Sequence, residues 1–147
     1  MTSALRIRTA RASDLDHCVE LLKDAALPTA DVTVSTFTFV AESDSGVCGA
    51  IGLESFPPAG LLRSLVVDPD GRGAGVGRKL VSALERHARE LGIDELWLLT
   101  IDADGYFETL GYVRRSRDDA PDTVRGTKEF SSLCPGDAVL MSKRLGA

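Results

Sequence analysis

The stretch Val67-Asp68-Pro69-Asp70-Gly71-Arg72-Gly73-Ala74-Gly75-Val76-Gly77-Arg78 decides how this chain is read. Before it stands the apolar run Leu61 to Val67, which reads as a strand. After it, from about Gly75 to Leu91, residues Val76, Leu80, Leu84, Ala88 and Leu91 recur at helical spacing. Glycines at 73, 75 and 77 let the backbone bend sharply and approach a ligand without Cβ clashes. The N–H groups at the start of such a helix, aided by its dipole, favour a phosphate. Arg72, Arg78 and Lys79 add local positive charge. A tight strand–helix connection without a ligand is the competing reading. Alternating glycines followed by two cations exceed what a plain turn needs. A Walker loop is excluded, because no Ser or Thr follows Lys79 in the required frame. The dinucleotide fingerprint G-x-G-x-x-G fails too, ending on Arg78 or on Leu80 according to the starting glycine.

Working outward, Leu5 to Thr9 alternates as an edge strand does, and Ser13 or Asp14 can cap a helix to about Ala26. Leu15, Cys18, Val19 and Leu22 share one face of that helix, and Pro28 limits its continuation. Ala30 to Ser35 is ambiguous. Thr36 to Glu42 and Val47 to Phe56 read as strands joined by a hairpin turn at 43–46. Pro57-Pro58-Ala59-Gly60 breaks the pattern before the Leu61 strand. Beyond the long helix, Gly92 suits a helix stop, and Leu96 to Ile101 is a nearly continuous apolar strand. A short helix around Ala103 to Leu110, a strand from Tyr112 to Arg117, a helix from Pro121 to about Phe130 and a strand from Ala138 to Lys143 complete the chain. The order β-α-β-β-β-α-β-α-β-α-β implies a mixed α/β layer fold in one domain over residues 1–147.

Composition sets the limits. The 147 residues are 44% apolar and 27% charged, an ordinary globular mix that excludes collagen-like and largely disordered classes. Seventeen basic against 22 acidic residues leave a net charge of −5, a poor basis for binding nucleic acid or an anionic membrane. No apolar run approaches the roughly 20 residues of a spanning helix. The opening MTSALRIRTARASD lacks the apolar core of a signal peptide, so a cytoplasmic location is expected. Cys18, Cys48 and Cys134 are odd in number and form no C-x-x-C pair, which favours neither a disulfide framework nor a metal site.

Arg72-Gly73-Ala74-Gly75-Val76-Gly77 resembles the R/Q-x-x-G-x-G/A signature of the GNAT N-acetyltransferase superfamily. The lead-in Val67-x-Pro69 and the stretch Phe107-Glu108-Thr109-Leu110-Gly111-Tyr112 are similar to that family as well. The resemblance implies a mixed, mostly antiparallel sheet of six to seven strands flanked by helices, with a splayed V between the fourth and fifth strands. It implies acetyl-coenzyme A as co-substrate, no metal, and direct attack by an amine within a ternary complex. On this reading Arg72, Gly73, Ala74, Gly75, Val76, Gly77 and Arg78 hold the pyrophosphate, mainly through backbone N–H groups. Leu65, Val66 and Val67 pair with the pantetheine arm, and a bulge there opens the slot for the thioester. A backbone N–H of Leu65 or Val66 stabilises the tetrahedral oxyanion.

One departure stands out. Many members of the family carry a Tyr where this chain has Phe107. Tyr106 lies about 100° around the helix and is no simple substitute. Phe107 is therefore expected to pack against the coenzyme arm or the core, with water protonating the departing thiolate. Glu54 is the candidate base for the amine, against the alternative of a plain strand-end carboxylate. Asp102 is a weaker candidate that a capping role explains equally. His17 and His87 have no triad context and read as surface residues.

Arg63 and Ser64 lie on the strand expected to line the acceptor site. Arg63 is the candidate clamp for a substrate carboxylate, or it pairs with a structural acid on a neighbouring strand. The segment Ala120 to Pro135, with Gly60-Leu61-Leu62-Arg63-Ser64, resembles the arsenic-resistance N-acetyltransferase group. It is also similar to the acetyltransferase domain of N-acetylglutamate synthases. Both imply a small-molecule amine, an amino acid or its analogue, with Arg125, Thr127 and Lys128 as further contacts. A solvated helix face is the commoner fate of such charges, and Cys134 reads as an inert thiol. The competing functions are a non-catalytic acyl-coenzyme-A sensor and an acetyltransferase for proteins or peptides. Many relatives form dimers, so a homodimer is one expectation, with no interface marked in the sequence.

Overall fold

The computed structural model describes residues 5–24, 37–44, 46–68, 75–101, 103–127 and 138–145. Its strands are β1 (Arg6–Thr9), β2 (Phe39–Ser43), β3 (Gly46–Phe56), β4 (Ala59–Val67), β5 (Glu95–Thr100), β6 (Val113–Arg115) and β7 (Val139–Arg144). The helices are α1 (Leu15–Asp24), α2 (Val76–Glu90), α3 (Asp104–Thr109) and α4 (Asp122–Arg125). The strands form one seven-stranded sheet in the order β1-β2-β3-β4-β5-β7-β6. β4 and β5 are parallel, and the other registered pairs are antiparallel. This is the mixed sheet expected from the sequence. The parallel β4–β5 pair follows from α2, because parallel neighbours need a crossover rather than a hairpin.

The chain forms two compact units, Met1–Leu53 with Ser64–Leu84 and Glu54–Arg63 with Glu85–Ala147. In the first unit β1 pairs with β2 from Arg6↔Glu42 to Thr9↔Phe39, and β2 pairs with β3 through a shift between Ala41 and Glu42. Its core gathers Cys18, Leu21 and Leu22 from α1 with Phe37, Val40, Ala50 and Val66. The buried face of α1 thus includes Leu21, while Val19 stays half-buried. The start of α1 also differs from expectation. Ala12–Asp14 forms a separate 3-10 turn, and the Asp14 carboxylate accepts the Arg11 N–H at 2.7 Å. Gly49 marks a close approach. A Cβ there would lie 3.0 Å from the Val66 carbonyl, 3.1 Å from Leu80 Cδ1 and 3.2 Å from Val76 Cγ1.

In the second unit β5 is the centre. Leu96, Trp97 and Leu98 are all but fully buried, as a run without alternation predicts. All six β5 residues pair with β7, whereas parallel pairing with β4 covers only Ala59–Leu61 against Glu95–Trp97. Leu62 and Arg63 on β4, and Leu98 and Leu99 on β5, lie beyond that register, as a splay between the fourth and fifth strands requires. One core cluster unites Ala59, Leu61, Trp97, Ala120, Val124 and Leu140. A buried polar network joins Glu85, Tyr112 and Lys143. Tyr112 donates its hydroxyl to Glu85 at 2.9 Å, and Lys143 Nζ lies 3.1 Å from both Glu85 oxygens. Burial, reinforced by the Glu85 charge, pushes the Tyr112 hydroxyl well above the ordinary tyrosine range.

Element ends differ from the sequence reading in places. The helix expected from Pro121 to Phe130 is a single turn as far as Arg125, with 128–130 outside the described residues. The strand expected over 112–117 shortens to Val113–Arg115, because Ser116 starts a 3-10 turn by accepting the Asp118 N–H. Leu91 is 42% exposed rather than buried, since α2 ends at Glu90 and Gly92 takes a left-handed φ of +85°. The ambiguous Ala30 to Ser35 stretch lies outside the described residues.

Candidate functional site

The glycine-rich turn belongs to the first unit. Arg72, Gly73 and Ala74 fall outside the described residues, so the turn is described from Gly75 onward. Gly75 has φ +75°, a left-handed conformation that glycine enters at little cost. Among the described residues nothing lies within 4 Å of where its Cβ would stand, so the requirement there is conformational. The Lys79 N–H reaches the Gly75 carbonyl at 3.0 Å and begins the helical ladder. Val76 and Gly77 are buried, while Arg78 and Lys79 are exposed. The first turn of α2 contains no acid, so nothing there opposes the positive end of the helix dipole.

Upstream in the same unit, Ser64 has φ +57° in the middle of β4. A non-glycine residue rarely enters the left-handed region, and a strand interrupted in this way changes direction locally. That irregularity lies one residue before the Leu65–Val67 run in which the bulge was expected. It is followed by Leu65, half-buried Val67 and, between them, Val66, which is buried and belongs to the core.

The second unit brings two predicted residues together. Arg63 Nη1 lies 3.3 Å from Glu54 Oε2, joining β4 to its neighbour β3. The Arg63 side chain is 5% exposed and the Glu54 side chain 33%. The candidate clamp and the candidate base are thus partners, and the carboxylate is the more accessible of the two. Phe107 is buried, with its ring edge-on to Tyr112 at 5.6 Å and to Tyr106 at 5.5 Å. It packs as a core residue, while Tyr106 is 40% exposed.

The remaining candidates disperse. Arg125 bonds Asp122 at 2.8 Å on the surface of α4. Thr127 is buried and donates its hydroxyl to the Val124 carbonyl at 2.7 Å. Lys128, Asp102 and Cys134 fall outside the described residues. His17 is exposed, with Nε2 2.8 Å from the Val47 carbonyl oxygen, and His87 is half-buried late in α2. Burial raises the Cys18 thiol to about 11, which makes it inert as a nucleophile. Among the described residues no group of His, Cys, Asp or Glu is arranged to hold a metal, and no helix is long and apolar enough to cross a membrane.

Two features escaped the sequence reading. The left-handed Ser64 has no signature in Leu61 to Val67. The Glu85 network joins residues 27 and 58 positions apart. An open cavity of about 440 Å³ in the second unit is lined by Arg115, Lys143, Glu95 and Ser142 among others. Its Arg115 is held by Glu95 and Ser142, and its Lys143 by Glu85.

A family model described as an acetyltransferase (GNAT) domain matches residues 35–114. An amino-acid acetyltransferase from Ralstonia nicotianae is 33% identical over 88 residues, which is 58% of this chain and 20% of that protein. The N-acetylglutamate synthase of Neisseria gonorrhoeae, solved with coenzyme A and N-acetyl-glutamate, has a TM-score of 0.84 at 23% identity. That match covers 100% of this chain and 36% of the synthase. A Mycobacterium tuberculosis protein solved with CoA has a TM-score of 0.79 at 23% identity, covering 95% of this chain and 98% of its own. The chain thus spans a fifth of that curated relative and about a third of that synthase, and the structural likenesses speak for the fold.

Proposed function

We propose, for a chain that belongs to the acetyltransferase (GNAT) domain family, that it transfers the acetyl group of acetyl-coenzyme A to the amine of a small substrate, an amino acid or amino-acid analogue. The observation that carries this reading is the left-handed Gly75 turn into α2, with no described residue within 4 Å of where a Gly75 Cβ would stand and exposed Arg78 and Lys79 behind it. Relatives named amino-acid acetyltransferase support the amino-acid acceptor.

In this mechanism the backbone N–H groups from Arg72 to Arg78 bind the coenzyme's diphosphate, where oriented amides and the helix dipole favour negative charge. Leu65, Val66 and Val67 present strand backbone to the pantetheine arm, after the direction of β4 has been broken at Ser64. Glu54 accepts one proton from the substrate ammonium. The freed nitrogen lone pair attacks the thioester carbon, and an N–H of Leu65 or Val66 stabilises the oxyanion. The tetrahedral species collapses as the C–S bond breaks. The nitrogen gives its second proton to water, and water in turn gives one proton to the coenzyme thiolate. A thiol with a pKa of about 8.5 leaves without a dedicated acid, so Phe107 in the place of a tyrosine is no obstacle. Holding both substrates at once supplies much of the acceleration. Arg125 ends α4 and Thr127 follows it, and we assign both, with Lys128, to acceptor recognition.

Gly75→Glu tests the reading. Its carboxylate would meet the diphosphate, and coenzyme A affinity measured by calorimetry should fall at least about 100-fold in a folded variant, since like charges placed together cost several kcal/mol. Unchanged affinity would refute this placement of the coenzyme. Thiol release from acetyl-coenzyme A that appears only with an amino acid present would support the transfer itself.

A further inference from the structure

We infer that Arg63 is a positioning residue, whose buried guanidinium holds the Glu54 carboxylate in place to receive the acceptor's proton; the inference rests on the acetyl-transfer reading above. An arginine stays charged under all ordinary conditions, so a buried one needs an anion beside it. Glu54, on the neighbouring strand, supplies an anion there at 3.3 Å.

The two partners differ in access. Arg63 is 5% exposed and Glu54 33%, so an incoming solute meets the carboxylate and not the guanidinium. A carboxylate is the right group to attract and deprotonate an alkylammonium. A substrate carboxylate that reached for Arg63 would have to settle against Glu54, where like charges repel. The same pair that equips this place to receive an amine therefore makes it a poor receptor for an acid. Any recognition of a substrate carboxylate falls to another cation.

The proton balance assigns each group one task. One Glu54 oxygen takes the proton leaving the substrate nitrogen, and the new O–H later passes it to water. Arg63 keeps all its protons and fixes the carboxylate through Oε2. Glu54 is the catalytic residue, and Arg63 bears on the proton transfer through it.

Steady-state kinetics of the full chain with two acceptor sets test this: free amino acids, and the same compounds as amides, which lack the carboxylate. Arg63→Gln should lower kcat by about 100-fold for both sets alike, as loss of orientation does, with KM little changed. Arg63→Lys, which keeps a cation, should recover part of the loss. In a Glu54→Gln background Arg63→Gln should cost almost nothing more. A KM increase confined to free amino acids and persisting in the Glu54→Gln background would overturn the inference and make Arg63 a clamp. Multiplicative losses in the double variant would overturn it as well. Urea denaturation of Arg63→Lys, Glu54→Gln and their combination tests the pairing without activity. Coupled effects support it, and independent effects refute it even if Arg63→Gln does not fold. A wild-type chain that acetylates none of these amines fails the acetyl-transfer reading and the proton role, while coupling in urea would still leave the ion pair standing.

Discussion

The Arg8 cluster of the first unit and the Arg63–Glu54 pair of the second set an arginine against carboxylates in opposite ways. In the first unit Arg8 forks onto Asp14, with both nitrogen–oxygen contacts at 3.0 Å, and reaches Glu42 at 3.2 Å. Arg6 takes the other Glu42 oxygen at 2.8 Å, and the Arg11 N–H takes Asp14. Every carboxylate oxygen is engaged. The Arg8 hydrogen bonds hold the Asp14 carboxyl below the usual carboxylate range. In the second unit Arg63 meets Glu54 through one longer contact and leaves a third of that side chain open. A saturated cluster locks β1, β2 and the turn before α1 together. An unsaturated pair keeps an anion fixed and still available. Spare capacity, more than charge itself, separates a carboxylate that can do chemistry from one that only holds the fold.

The contrast can be broken from either side. The largest effect is expected at the unsaturated pair, where Glu54→Gln should reduce kcat by about 10²–10⁴-fold with the fold retained, as removal of a general base does. Acetyl-transfer assays beside a circular-dichroism melt would show whether activity and stability part company. Next comes the buried network of the second unit. Lys143→Met leaves Glu85 with its charge and one donor fewer, and urea denaturation should show a loss of about 3 kcal/mol, the low end for a broken buried pair because Lys143 is 25% exposed.

Asp14→Asn should cost less, about 2 kcal/mol, the scale of a charge-assisted hydrogen bond. It should also change the acid limb. The folded Asp14 carboxyl titrates below its unfolded value, so its contribution is complete above about pH 4 and fades as pH falls through the lower folded value. Stability against pH should therefore drop more gently below pH 4 in the Asn variant than in the wild type, a comparison that denaturation curves at several pH values would decide. The smallest effect belongs to Arg6→Ala. With a side chain 65% exposed, Arg6 should contribute less than about 0.5 kcal/mol. A larger loss would mean that the first cluster works as one cooperative network.

How far the sequence reached depends on how local the determining physics is. Val76, Leu80, Leu84 and Ala88 are all buried on α2, because helical periodicity is a property of neighbours three and four apart. The continuous run of β5 announced a strand covered on both faces, and Leu96, Trp97 and Leu98 are so covered. Gly75 was legible because left-handed turns select glycine. Ser64 was not legible, since the same left-handed φ is carried there by a residue that strands and loops use freely. The burial of Glu85 was hidden because its partners come from β7 and from the residue before β6. The Arg63–Glu54 pairing lay between these cases. Both residues flank the Pro57-Pro58 connection within a few positions, and the alternative that Arg63 pairs with an acid on a neighbouring strand described the contact without naming Glu54 as the acid.

A left-handed residue inside a strand also filters the alphabet available to it. Valine and isoleucine, welcome almost anywhere along β4, are the side chains least able to enter the backbone region that Ser64 occupies. Glycine, asparagine and aspartate, which weaken a strand elsewhere, enter it readily. Position 64 is thus bound to diverge by rules opposite to those of Leu62 and Val66, two places away on either side, and descendants of this chain should drift there among small polar residues while their neighbours trade one aliphatic for another.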